Sequence, residues 1–127
     1  MGLPTFLLRK LYRRGSLRET GDGRFAFSLQ NPLGNATVIA PPEIVVNGIL
    51  HPPEEIQMGH LDLAAVSPDH PFVFARGDDV ELRMAGRLLR GGNRIHIGVI
   101  TKEFGEISFL VEDREADFCD IPGGEEE

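Results

Sequence analysis

Phe25, Phe27 and Leu29 alternate with Ala26, Ser28 and Gln30, and the same two-residue period returns several times further along the chain. Val80, Leu82 and Met84 alternate with Glu81, Arg83 and Ala85; Ile95, Ile97 and Val99 alternate with Arg94, His96 and Gly98; Ile107, Phe109 and Val111 continue the pattern. Successive side chains of a strand point to opposite faces, so this period predicts strands with one face buried. Strands are therefore expected over Asp79–Ala85, Arg94–Thr101 and Glu106–Glu112, with a shorter one at Phe72–Phe74. Gly91-Gly92 and Phe104-Gly105 are read as the turns between them. Short alternating strands joined by glycine turns predict an all-β antiparallel sandwich or barrel.

The first half is less regular. Gly21-Asp22-Gly23, rich in residues that accept positive φ, predicts a hairpin between Ser16–Thr20 and Arg24–Leu29. Asn31 to Asn35 reads as a loop, Ala36–Ala40 as a strand broken by Pro41-Pro42, and Ile44–Val46 as its resumption. Asn47-Gly48 is the strongest two-residue hairpin signal. From Leu50 to Pro71, prolines, acids and histidines dominate, and Leu61–Val66 fits a strand or a single turn. The opening, Pro4 to Gly15, predicts a short helix: Pro4 suits the first turn, Leu3, Leu7, Leu8, Leu11 and Tyr12 share a face, and Gly15 suits the stop. Phe6, Leu8, Lys10 and Tyr12 also alternate, which is the competing strand reading.

Composition narrows the class. At 127 residues the chain fits one domain with a conventional core. Its single cysteine, Cys119, excludes an internal disulfide and favours a reducing compartment. No apolar run approaches the roughly 20 residues of a membrane span, and Met1 to Arg14 lacks the order of a signal peptide. A cytoplasmic protein is the default expectation. The net charge of −7 is unevenly placed. Glu112 to Glu127 holds eight acids against Arg114, a balance of −7, whereas the first 24 residues hold six cations against Glu19 and Asp22, a balance of +4. The expected organisation is a basic amphipathic segment at 1–15, a β-sandwich domain at 16–118 and a disordered acidic tail at 119–127.

Candidate chemistry is sparse. His51, His60, His70 and His96 lack metal-motif spacing; His60 with Asp62, and His70 beside Asp69, are the nearest to a metal or acid–base pair. Leu88 to Asn93 lacks the Lys-Ser/Thr ending of a phosphate loop and reads better as a hairpin turn. Carboxylates around Cys119 raise rather than lower a thiol pKa, which argues against a nucleophile. No catalytic residue and no cofactor are assigned. Phe6, Arg9, Lys10, Tyr12, Arg13 and Arg14 form the candidate partner contact. Nucleic acid is disfavoured by the overall acidity and the few aromatics among these cations.

Two stretches resemble a known family. Ile44 to Ile56 is similar to a segment that typically reads V-D-G, two or three residues, then E-x-I. Gly86 to Ile97 is similar to its later G-x-L-x-x-G-x-H-x-I-x-I segment, and Phe25–Gln30 matches the strand before both. Together they resemble the small β-sandwich subunit of C-glycoside deglycosidases. The resemblance implies a fold and an accessory role beside a large barrel subunit that holds the divalent metal and most catalytic groups. The chain departs from that pattern at Asn93, where the family usually has His, at Asn47, where it has Asp, and over Asn31 to Asn35. A resemblance to short chains labelled hydroxymethylglutaryl-CoA reductase is set aside, because hydride transfer needs two large cofactors and a dinucleotide site.

The functional expectation is a non-catalytic accessory or oligomerising β-sandwich acting through protein–protein contact. The alternatives are the small subunit of a two-component carbohydrate-active enzyme and a small-ligand or carbohydrate-binding module using the 50–71 loop. An absence of tryptophan and a single tyrosine weigh against sugar stacking.

Overall fold

The computed structural model describes residues 4–115, and its strands pair antiparallel throughout. A three-stranded sheet holds β1 (Arg18–Glu19), β2 (Arg24–Gln30) and β7 (Asp79–Ala85) in the order β1-β2-β7. The six-stranded sheet holds β3 (Ala36–Val38), β4 (Glu43–Val46), β5 (Ile49–His51), β6 (Phe72–Phe74), β8 (Asn93–Thr101) and β9 (Gly105–Asp113). Its path runs β5-β4-β8-β3-β6, and β9 pairs along the whole of β8. The all-β antiparallel architecture read from the alternation is the one observed.

Alternation sorts the side chains as their period requires. Phe25 and Phe27 on β2, with Leu82 and Met84 on β7, face Ile44, Val46, Ile95, Ile97, Ile107, Phe109 and Val111 across one apolar cluster. Burying each such side chain contributes about 1.5–3 kcal/mol, the main force holding the sheets together. The hairpin turn at 21–23 is present, with Arg18 opposite Ala26 and Glu19 opposite Phe25. Asn47 and Gly48 both take positive φ, 53° and 83°, which closes the two-residue β4–β5 turn.

The 50–71 stretch closes the sandwich. Gln57 exchanges two backbone hydrogen bonds with Arg83 on β7, 2.8 and 2.9 Å, so the chain crosses from β5 to the edge of the other sheet. Ile56, Met58, Leu63 and Val66 are buried along this crossing. Leu63–Ala65 is a single 3-10 turn, the second of the two forms expected there.

Two local expectations are corrected. The opening helix is shorter than the pattern implied: α1 spans Thr5–Leu8, one 3-10 turn follows at Arg9–Leu11, and Tyr12 is already extended. Tertiary contact overrides propensity there, because Tyr12 bridges to Leu29 and its hydroxyl reaches Asp113. Leu88 to Asn93 is not a hairpin turn, since β7 and β8 lie in different sheets; it is a crossover held by Leu88 N–H on the Glu19 carboxylate, 2.9 Å. The acidic tail expected at 119–127, and Cys119 with it, lies outside the described residues.

Candidate interaction surface

The outward face of the six-stranded sheet departs from the polar dress of a solvated face. The register sets Leu50 of β5 opposite Val45 of β4, Val45 opposite His96 of β8, and His96 opposite Leu110 of β9. Leu50 is 56% exposed and Leu110 37%. The result is a continuous row across four strands, roughly 14 Å long at the usual strand spacing. Ile100, on the same face of β8, is also exposed. Glu43, Gly98 and Ser108 line up on one side of the row, and Arg94 with Glu112 on the other.

The β9 side of this face is finished by the N-terminal segment. A free strand edge offers unpaired carbonyls that invite further pairing. Here Arg9 Nε donates to the Leu110 carbonyl, 3.2 Å, and an Arg14 Nη donates to that of Glu112, 2.9 Å. Asp113 anchors the same segment, its carboxylate accepting from Tyr12 Oη at 2.8 Å and from Gly15 N–H at 2.9 Å. Burial and that carboxylate together push the Tyr12 hydroxyl pKa well above the ordinary phenol value. Between segment and strand lies a groove of about 410 Å³ lined by Arg9, Arg14, Arg94, Leu110, Val111 and Glu112.

The six residues expected to meet a partner thus separate. Phe6, Arg9, Lys10, Arg13 and Arg14 are exposed, and Phe6 at 66% is the barest large apolar side chain of the described residues. Tyr12 is corrected: at 2% exposure it is a core residue, drawn inward by Asp113 and packed against Phe27 with ring centres 5.8 Å apart. Arg13 reaches the other way, to Asp79 at 2.7 Å.

The two resembling segments meet at a structural clip. Asn93 is fully buried; its Oδ1 accepts from Asn47 Nδ2 at 2.9 Å and from Leu89 N–H at 2.7 Å, and its Nδ2 donates to the Leu89 carbonyl at 3.1 Å. Asn47 Oδ1 in turn accepts from Arg94 N–H, 2.9 Å. These side chains tie the β4–β5 turn to the start of β8. Their work is positional.

The metal candidates are not brought together. His60 is exposed in the turn between Met58 and Leu61, Asp62 accepts from Ala64 N–H to cap the 3-10 turn, and His70 closes a small loop with Ser67. Among the described residues no group of three or more His, Cys, Asp or Glu gathers as a metal site. Open grooves of about 600 and 650 Å³ flank Gln57–Leu61. Several of their charged groups are already engaged: Glu81 with Arg18 and Arg83, Asp79 with Arg13, Arg24 with Gln57. The histidine that sequence reasoning missed is His51, buried with its ring edge-on to Phe25, centres 5.6 Å apart. Burial lowers its pKa, against a smaller opposing effect from Glu55. Its inward side of β5 follows from its pairing with Ile44, a signal absent from its proline-rich surroundings.

No helix of the described residues is long and apolar enough to cross a membrane. No curated protein matches the chain. The family model described as the hydroxymethylglutaryl-CoA reductase N-terminal domain matches residues 7–115. That match overturns the resemblance to the small subunit of C-glycoside deglycosidases, whose two motifs are the turn-and-clip segments around Asn47 and Asn93. It also corrects the decision to set the reductase label aside, which rested on hydride-transfer chemistry rather than on family membership. The matched span runs from α1 past the end of β9, and the chain belongs to the hydroxymethylglutaryl-CoA reductase N-terminal domain family.

Proposed function

We propose that this chain is a non-catalytic module that works by protein–protein contact through the outer face of its six-stranded sheet, in the first place with a second copy of itself. The Leu50–Val45–His96–Leu110 row carries this reading. A largely apolar row flanked by polar and charged side chains is the usual anatomy of a contact face. Arg94 lies on one side of the row and Glu43 on the other, so a two-fold axis along the row sets unlike charges opposite each other. A face of four strands and about seven residues is a plate of roughly 20 by 23 Å. Two stacked plates bury on the order of 900 Å², at the low end for specific complexes. The association is therefore weak and concentration-dependent. As the sole cysteine, Cys119 fits a reducing, cytoplasmic setting.

Sedimentation equilibrium from micromolar to millimolar protein tests this. The average mass rises from one chain toward two as concentration increases; a constant single-chain mass over the whole range rejects self-association.

The family match favours a second reading, in which the same face docks on a polypeptide carrying reductase chemistry. Co-expression with the catalytic polypeptide of a hydroxymethylglutaryl-CoA reductase from the same cell checks it. Stoichiometric co-purification supports this reading, and separate elution rejects it.

A further inference from the structure

Beyond the sheet face, the space between the two sheets is incompletely filled at one end. Toward Leu29 of β2 and Val99 of β8, side chains that face the core stay half-buried: Leu29, Val80, Val99, Phe72 and Phe74. Gly34 and Ala36, which offer no more than a methyl group, line the same space and leave it room. Two cavities of about 70 and 60 Å³ lie side by side there, with Leu29, Val38, Phe74, Ile97 and Val99 as common walls. Phe104 of the β8–β9 turn lines the larger one and is 38% exposed, so this cavity reaches the surface.

The chemistry of the walls selects the ligand. Among the described residues, Asn31 and Thr101 are the polar side chains that line either cavity. Asn31 Oδ1 accepts from the N–H groups of Leu33 and Gly34, 3.1 and 3.2 Å, and its Nδ2 donates to the carbonyls of Gly34 and Phe74, each 2.7 Å. A carboxamide has two donors and two acceptor sites, so Asn31 has none to spare. Thr101 Oγ1 donates to the Gly105 carbonyl, 3.1 Å, and accepts from Phe104 N–H, 2.9 Å. A water needs two to four polar partners and does not find them here. An apolar group gains the contacts that a void denies its walls. We infer that this end of the sandwich binds a small uncharged hydrocarbon group, about the size of a benzene ring. Apolar cavities of about 150 Å³ stay dry and hold benzene, and the two spaces joined approach that size. The half-buried Leu29 between them, and the adaptable thioether of Met58 on the smaller one, yield the remainder. None of Val45, Leu50, His96 and Leu110 lines this space, so the site stands apart from the outer contact face.

Titration of the full chain with benzene tests this, followed by proton–carbon methyl spectra and nuclear Overhauser effects from benzene to protein, with phenol as the comparison of similar shape. The expected result is saturable shifts and Overhauser effects at the methyls of Leu29, Val38, Ile97 and Val99. Phenol is expected to bind at least about tenfold more weakly, because its hydroxyl is buried without a partner. Ala36→Leu fills the larger cavity from β3 and is expected to abolish the benzene shifts; the wild-type Overhauser effects decide the matter if that variant does not fold. The inference is overturned if these methyls stay unmoved up to the solubility limit of benzene, or if the Overhauser effects fall on Leu50 and Leu110 of the outer face instead. It is overturned equally if phenol binds as well as benzene, or if folded Ala36→Leu binds benzene like the wild type.

Discussion

At the scale of single residues, the most consequential side chain is Asn93. Its carboxamide is fully buried and serves Asn47 and both backbone groups of Leu89. Asn93→Ala strands those partners without hydrogen bonds, at about 1–3 kcal/mol for each buried group left unpaired. The expected loss is about 2–3 kcal/mol by urea unfolding, and a loss under about 0.5 kcal/mol contradicts this role. Asn93→Asp is worse at neutral pH, because a carboxylate oxygen then faces the Leu89 and Gly91 carbonyls. Sequence flagged Asn47 and Asn93 only as departures from a motif. Their contact spans 46 positions, and no local pattern encodes it.

His51 supplies a pH dependence. Its folded-state pKa is lowered from 6.5, chiefly by burial, so the fold favours neutral imidazole. As pH falls through about 6.5 the unfolded chain takes up the proton first, and stability that is complete above that value drains away below it. Thermal midpoints recorded from neutral pH down to about 5.5 fall in the wild type, and His51→Leu flattens that slope. An unchanged slope in the variant contradicts the assignment. Its alternation partner on β4 was readable, but Pro52-Pro53 hid the strand that carries it.

At the scale of elements, the N-terminal segment and β9 act as one unit. Tyr12→Phe removes the hydroxyl from Asp113 while Gly15 N–H still holds that carboxylate. A hydrogen bond to a charged group contributes about 1.5–3 kcal/mol, here within a local unit. Hydrogen exchange is therefore expected to quicken over residues 9–15 and 110–113 more than in β2 and β7. Uniform change across all strands contradicts a local anchor. The amphipathic reading named Leu8 and Tyr12 as apolar-face residues, and both are buried. It could not foresee that Tyr12 leaves the helix, because the bond that extracts it lies 101 positions away. The second half was more legible: each residue of β7, β8 and β9 assigned inward by period is buried or nearly so.

At the scale of the whole molecule, strand order creates what strand sequence cannot show. Leu50 and Leu110 lie 60 positions apart and join one row only because β5, β4, β8 and β9 are neighbours in that order. Inward faces announce themselves by period alone; an outward apolar row announces itself only once the register is known. For the same reason the sequence did not show that the 50–71 stretch, a ligand loop in only one of the alternative readings, is a strap that buries Ile56, Met58, Leu63 and Val66. The family, too, was obscured by motifs that the structure explains as turn geometry.

The most direct test of a contact face on the six-stranded sheet is the dimer dissociation constant of the wild type beside that of the double variant Leu50→Lys, Leu110→Lys. The account predicts at least about tenfold weaker association, equivalent to 1.4 kcal/mol, with unfolding free energy within about 0.5 kcal/mol of wild type as befits surface positions. A double variant that associates as tightly as the wild type contradicts it.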